Sequence, residues 1–196
     1  MTRRKTSLVV GIAGGSASGK TAVTRSIVTA LGDVETAIVP HDAYYRDLRH
    51  LPLPERRQVN VDHPDSLETD LLVQDLHRLL AGAPVAIPLY DYATHLRLDE
   101  RRVIEPAPVV IVEGILVLAL ERLRRLMDLK VYVHVPETER LARRLARDVE
   151  RRGRTAESVR ADHEWRVQPM HREFVAPSRA YADVVIEEGG RNADAI

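Results

Sequence analysis

The sequence predicts a doubly wound α/β domain, a parallel sheet buried between helices, on three observations. Five short apolar, β-branched runs recur along the chain, amphipathic stretches separate them, and a glycine-rich turn joins the first run to the first helix. Near-continuous apolarity within a run, rather than strict alternation, marks a strand covered on both faces, with parallel neighbours joined by helical crossovers.

Strands are expected over residues 8–13, 37–39, 109–112, 131–135 and 184–186. The first helix is expected over 20–31 and stops at Gly32. A second, over 67–81, carries Leu67, Leu71, Leu72, Leu76, Leu79 and Leu80 on one face; Asp65, with Glu68 following, reads as its cap and Gly82 as its stop. Two strongly charged helices, over 138–152 and 157–167, are expected around Gly153. Residues 85–104 break the alternation: Pro84, Pro88, Tyr90, Tyr92 and the run 101–104 read as a β-ribbon over one end of the sheet. After Ile186, the residues Glu187, Glu188, Gly189 and Gly190 read as a loop and a frayed tail. Residues 1–196 are expected to form one domain.

Composition excludes several classes of function. The 29 basic and 29 acidic side chains cancel, so no whole-protein field grips nucleic acid or an anionic membrane, and any anion site must be local. Without cysteine there is no disulfide scaffold, thiolate zinc site, iron–sulfur cluster or cysteine nucleophile. Arg3, Arg4 and Lys5 precede an apolar run too short for a signal segment, and no stretch is long enough to span a membrane. The expectation is a soluble cytoplasmic protein. Of the basic residues only Lys5, Lys20 and Lys130 are lysines, which favours a specific ammonium role for the one in the glycine-rich turn.

That turn reads Gly14-Gly15-Ser16-Ala17-Ser18-Gly19-Lys20-Thr21 and fits G-x-x-x-x-G-K-[ST], with a strand before it and a helix after it. Small residues let backbone N–H groups turn inward around phosphate oxygens, and the helix N-terminus adds partial positive charge. Lys20 is expected on the β- and γ-phosphates and the Thr21 hydroxyl on magnesium. Glu113 ends the run 109–112 at the expected ligand-binding edge of the sheet, as a hard oxygen ligand for the same ion. The dinucleotide fingerprint G-x-G-x-x-G is absent, and so is the N-K-x-D motif of a GTPase switch. A phosphotransferase also needs an acceptor site with a base. Asp42, just beyond the second strand, can point toward the γ-phosphate and take a hydroxyl proton.

The ordered set D-x-Y-Y-R-D from Asp42, D-H-P-D-S from Asp62, P-L-Y-D-Y-x-x-H-x-R from Pro88, V-E-G-I-L from Val112 and R-D-x-x-x-R-G-R from Arg147 resembles the uridine kinase (uridine–cytidine kinase) family. The likeness continues through Pro177 to Ile186, nearly to the end of the chain. It implies a P-loop kinase fold that phosphorylates the 5′-hydroxyl of uridine and cytidine with ATP or GTP and Mg2+, giving UMP and CMP in pyrimidine salvage. It also implies a homotetramer.

Carried over residue by residue, the resemblance makes Asp42 the base, close to the magnesium, and puts Asp62 on the ribose 2′- and 3′-hydroxyls. Tyr45, Tyr90 and His95 frame the pyrimidine. Arg144, Arg147, Arg152 and Arg154 belong to the lid, with Arg154 near the nucleoside and the others nearer phosphate. Asp162 stands where the family has a nucleoside-contacting glutamine, and an acidic acceptor there prefers a donor such as the cytosine amine. His41 stands where glutamine is common, and Val61 where an aromatic is common.

The residue types agree with these roles. A carboxylate can accept two vicinal hydroxyls, and aromatic rings suit a flat base. Arginines three and four apart put several guanidiniums on one helix face. The alternatives are a phosphoribulokinase- or pantothenate-kinase-like enzyme, and a nucleotide-binding regulator without kinase activity.

Overall fold

The computed structural model describes residues 7–189; Arg3, Arg4 and Lys5 and the tail from Gly190 lie outside the described residues. In chain order the first half holds β1 (Leu8–Gly14), α1 (Lys20–Leu31), β2 (Thr36–Pro40), α2 (Leu53–Arg56), α3 (Thr69–Leu80), β3 (Val85–Asp91) and β4 (Leu96–Ile104). The second holds β5 (Val109–Glu113), α4 (Glu121–Arg124), β6 (Leu129–Val133), α5 (Glu137–Arg152), α6 (Ala156–Asp162) and β7 (Val184–Ile186). Five strands form one parallel sheet in the order β2-β5-β1-β6-β7.

Both sheet faces are buried, as the apolar runs require. Along β1, Val9 and Ala13 join a cluster with Val39, Val110, Val112, Leu72 and Leu76. The alternate residues Val10 and Ile12 join Val23, Ile111, Val131 and Ile186 on the other face. Pairing of Ile12 with Glu113, of Pro40 with Glu113 and of Gly14 with Val133 brings four strand ends to one edge. The loops that follow β1, β2 and β5 leave from that edge. β3 and β4 form a separate antiparallel ribbon, as expected for residues 85–104, with an irregularity between Pro88 and Tyr90.

Three expected boundaries are corrected. β6 ends at Val133 rather than at residue 135, because its partner β1 ends opposite it and Pro136 then offers no N–H. α3 starts at Thr69, and Asp65 is not its cap. Asp65 lies in a one-turn 3₁₀ segment, Pro64–Ser66, while Leu67 is extended and bridges to Tyr45. The last expected helix does not stop at Val167. Thr155 caps α6 by accepting from the Ser158 N–H, and the helical run continues through a π-turn, His163–Val167, as far as Val175. Pro169 has no N–H, and its ring would clash with the Trp165 carbonyl; the wider turn relieves this.

Candidate active site

The phosphate loop is built by backbone conformations that small residues permit. Gly14 sits at φ 144° and Gly19 at φ 96°, and a Cβ on Gly14 would lie 2.3 Å from the Val133 carbonyl oxygen. Ala17, at φ 63°, holds a left-handed conformation uncommon for a residue with a Cβ. Gly19 caps α1 without any side-chain hydrogen bond, which leaves the first-turn N–H groups for an anion. Lys20 Nζ donates to the Gly14 and Gly15 carbonyls, at 3.0 Å each, curling its ammonium over the loop. Burial lowers the Lys20 pKa, against the pull of Asp42 and Glu113.

Thr21 donates to Glu113 Oε2 at 3.2 Å, and Thr24 donates to the same oxygen at 3.3 Å. A hydroxyl and a carboxylate thus meet beside the phosphate loop. This hard-oxygen donor set fits Mg2+, which takes one or two protein ligands and fills its shell with water and phosphate.

Asp42 rides on the 3₁₀ turn His41–Tyr44 directly after β2. Tyr92 donates its hydroxyl to Asp42 Oδ2 at 3.4 Å. Burial raises the Asp42 pKa, while Lys20, the Tyr92 hydrogen bond, Arg152 and Arg147 hold it down. Behind it His41 is fully buried, and burial pushes its pKa down to about 4, so the ring is neutral. Its Cβ would lie 2.5 Å from a Cβ on Gly114, so the glycine after Glu113 lets this turn sit against β5.

A cleft of about 550 Å³ opens beside Asp42. Tyr45, Asp62, Tyr90 and His95 line it from the loop and ribbon side, Ser16 from the phosphate loop, and Arg144, Arg147, Arg152, Arg154 and Asp162 from the lid. The Tyr45 and Tyr90 rings lie 5.0 Å apart, tilted by 52°, and Tyr92 meets Tyr90 edge-on at 5.3 Å. Asp62 is buried, and its pKa is pushed up to about 6 by that burial; Arg144 opposes the rise while Asp162 and Asp42 add to it. His95 closes the ribbon turn at φ 54°, and its Nδ1 is buried without a hydrogen-bond partner among the described residues. Burial first, then Arg57 and Arg154, hold its pKa below the ordinary histidine value, with Asp162 opposing.

Two carboxylates organise the lid. Asp148 is fully buried at the C-terminal end of α5 and accepts from Arg147 Nε at 2.7 Å. Arg144 at 3.5 Å, Arg152 at 3.6 Å and Arg154 at 3.9 Å surround it. Asp162 accepts from Arg144 at 2.6 Å and Arg154 at 3.1 Å. Asp148→Ala is therefore expected to lower stability by roughly 2–3 kcal/mol, below the full cost of orphaning a buried charge because three of the four arginines reach solvent. Thermal unfolding measures it; an unchanged melting temperature would show the arginines are held by other contacts.

Some features of the site were not foreseen. The bond from Tyr92 to Asp42 joins the ribbon to the base candidate, and only the Tyr90–Tyr92 spacing hinted at a shared face. Arg57 and Arg166 also line the cleft, brought together across 109 residues of chain. The Arg140 guanidinium presses against Gly15, beneath the phosphate loop.

The parallel sheet, with its glycine-rich loop between β1 and α1, is that of a P-loop kinase, a nucleotide-dependent phosphotransferase. More narrowly, the chain belongs to the Phosphoribulokinase / Uridine kinase family, whose model matches residues 9–195. It is 50% identical over 189 residues to a uridine kinase of Chloroflexus aurantiacus, covering 96% of this chain and 90% of that protein. It is 49% identical over 192 residues to a uridine kinase of a Geobacillus species, covering 98% and 91%. Among solved structures, a putative fructose transport system kinase from Silicibacter shares the fold, with a TM-score of 0.72 at 21% identity over 94% of this chain and 92% of that one.

Proposed function

We propose that the protein transfers the γ-phosphate of ATP or GTP to the 5′-hydroxyl of uridine and cytidine, giving UMP and CMP for pyrimidine salvage. The observation that carries this reading is the convergence on one cleft of a base candidate, Asp42, a buried carboxylate, Asp62, and an aromatic wall ending in His95. The extended likeness to uridine kinases supports it.

The chain's own groups divide the work by position. Lys20 and the loop N–H groups hold the donor phosphates. Asp42 takes the proton of the attacking hydroxyl, and Tyr92 orients the carboxylate through its hydrogen bond. Arg147 and Arg152, the lid cations that act on Asp42, meet the charge that develops on the transferring group. Asp62 accepts the ribose hydroxyls, with Arg144 beside it. Tyr45 and Tyr90 flank the base, whose edge meets His95. Arg154 and Asp162 close the lid over it. Thr21 and Glu113, and Asp42 with them, would hold Mg2+, which would supply neutralisation of phosphate charge.

A sugar-phosphate acceptor of the phosphoribulokinase type, or a pantothenate-like one, would leave the tyrosine wall without a flat partner. A regulator without kinase activity would have no use for a carboxylate held between Lys20 and Tyr92. The same reading includes a homotetrameric, cytoplasmic enzyme without nucleic-acid or membrane partners. No helix among the described residues is long and apolar enough to cross a membrane.

Coupled ADP release across a panel of ribo- and deoxyribonucleosides tests the proposal. Uridine should turn over, and 2′-deoxyuridine should lose about 10–100-fold in kcat/KM, because a desolvated carboxylate left partly unpaired costs about 1–3 kcal/mol. Equal values for the two would remove Asp62 from the ribose site, and turnover of no nucleoside would remove the function.

A pH dependence follows from Asp62. Hydroxyl acceptance needs the carboxylate ionised, so KM for uridine should rise as pH falls through about 6. The ligand-free fold responds with the opposite sign. A carboxyl that binds its proton more tightly folded than unfolded stabilises the fold most below its unfolded pKa of about 4, and loses that contribution as pH rises through the folded value. Asp62→Asn should flatten the KM profile between pH 5 and 7; a profile unchanged by the substitution would assign the titration to another group.

A further inference from the structure

The motif that begins at Pro88 closes on Arg97, an arginine with no role in the transfer described above. Arg97 lies in β4 directly opposite Tyr90 of β3. Its side chain is only 11% exposed, yet it does not line the cleft. Nη1 donates to Glu68 Oε2 at 2.8 Å, and Nη2 donates to the Tyr44 carbonyl at 3.0 Å. One planar fork thus spans three segments: the ribbon, the 3₁₀ turn His41–Tyr44, and the residue that precedes α3. The turn carries Asp42 and leads into Tyr45, while the ribbon carries Tyr90, Tyr92 and His95. Inside the cleft only loose contacts join the two: the Tyr92 hydroxyl meets Asp42 at 3.4 Å, and the Tyr45 and Tyr90 rings meet at 5.0 Å. The turn itself is anchored to α3. The Tyr44 hydroxyl donates to Asp75 at 2.9 Å, and its carbonyl also accepts from the Glu68 N–H at 2.8 Å. Val85, Ile87 and Ile104 fix the far end of the ribbon in the core, whereas Arg97 holds the end that faces the cleft.

We propose that Arg97 is a positioning residue: by tying the ribbon to Tyr44 and Glu68, it sets the distance between the aromatic wall and the turn that bears Asp42. The inference rests on the nucleoside kinase reading above. Placement at this scale matters, because a shift of about 1 Å in a reacting group can cost about 10²-fold in rate. The link can also be cut without orphaning a buried group. The Tyr44 carbonyl keeps the Glu68 N–H, and the Glu68 side chain, 33% exposed, can take water in place of the guanidinium. The phosphate loop lies between β1 and α1, and the Arg97 hydrogen bonds reach neither element. Loss of Arg97 therefore acts on the nucleoside side of the site and spares the donor side.

The test is steady-state kinetics with uridine and ATP, with calorimetric binding of each, in the wild type and four variants well below their melting temperatures. Arg97→Met should raise KM for uridine about tenfold and weaken uridine binding to match, with KM for ATP within about twofold of wild type. A residue that only stabilises the fold would lower the folded fraction, and with it kcat, while leaving both KM values unchanged. That pattern overturns the inference, and so does an equal rise in both KM values. Arg97→Lys keeps a charge opposite Glu68 but lacks the second prong, so its uridine KM should fall between those of the wild type and Arg97→Met. Tyr92→Phe, alone and combined with Arg97→Met, reports on the link itself. If Arg97 holds the ribbon against the turn, losing the Tyr92 hydroxyl costs less in Arg97→Met than in the wild type; equal costs overturn the inference. Should Arg97→Met fail to fold, Arg97→Lys decides: a selective rise in uridine KM supports the positioning role, and a wild-type value overturns it. A wild-type protein that phosphorylates no nucleoside overturns this inference together with the function it rests on, an outcome distinct from unchanged KM values.

Discussion

Lys20→Ala is expected to abolish turnover while the protein still folds. The ammonium is a point charge lying over the Gly14 and Gly15 carbonyls, and on the proposed function it serves the β- and γ-phosphates. No other described lysine can replace it: Lys130 lies in β6 and is bonded to Asp183. The lid arginines approach from the other side of the cleft and are tied to Asp148 and Asp162. A loss of about 10³-fold or more in kcat is expected, the scale on which phosphoryl transfer depends on a correctly placed cation. The fold should hold. Burial already disfavours the charged form of Lys20, and alanine is a strong helix former at the first position of α1. Near-normal kcat with an unchanged melting temperature would remove Lys20 from the phosphate site.

Asp42→Asn is expected to lower kcat by about 10²-fold or more, the usual scale for losing a general base. The substitution is nearly isosteric, and Tyr92 can still donate to the remaining oxygen, so the turn after β2 and the wall of the cleft should stay in place. Nucleoside affinity measured by calorimetry should therefore survive. The direction of the Asp42 pKa matters here. Burial raises it, which makes a carboxylate a better proton acceptor, while Lys20, Tyr92 and two arginines oppose the rise. A large loss of affinity with little loss of kcat would make Asp42 a binding residue only.

The parts of this site that were legible in the sequence are those whose spatial neighbours are also chain neighbours, or whose positions follow from a rule of the fold. The phosphate loop is contiguous from Gly14 to Thr21, and the conformations its glycines and alanine adopt are local. Glu113 lies 92 residues from Thr21, yet the pairing was readable, because parallel strands present their C-terminal ends at one edge. The lid arginines share a face because α5 repeats every 3.6 residues. Helix boundaries were less legible. The leucine periodicity of α3 extends back to Leu67, but the chain there is drawn into a bridge with Tyr45, and local propensity gives way to that tertiary contact.

By itself, then, the sequence determined the sheet with its phosphate cradle, the ribbon, and the presence of an arginine-rich lid, since each depends on periodicity or on adjacent residues. Only the tertiary structure decided what those charges do to one another. Asp148 is fully buried among four arginines. Asp162, readable as a free acceptor for a base, has its Oδ2 taken by Arg144 and Arg154, and Arg166 meets the Arg57 carbonyl across 109 residues of chain. The reason is physical. A charge takes its role from its desolvation and from the partner within a few ångströms, and both are set by packing between distant segments, which leaves no periodic trace in the chain.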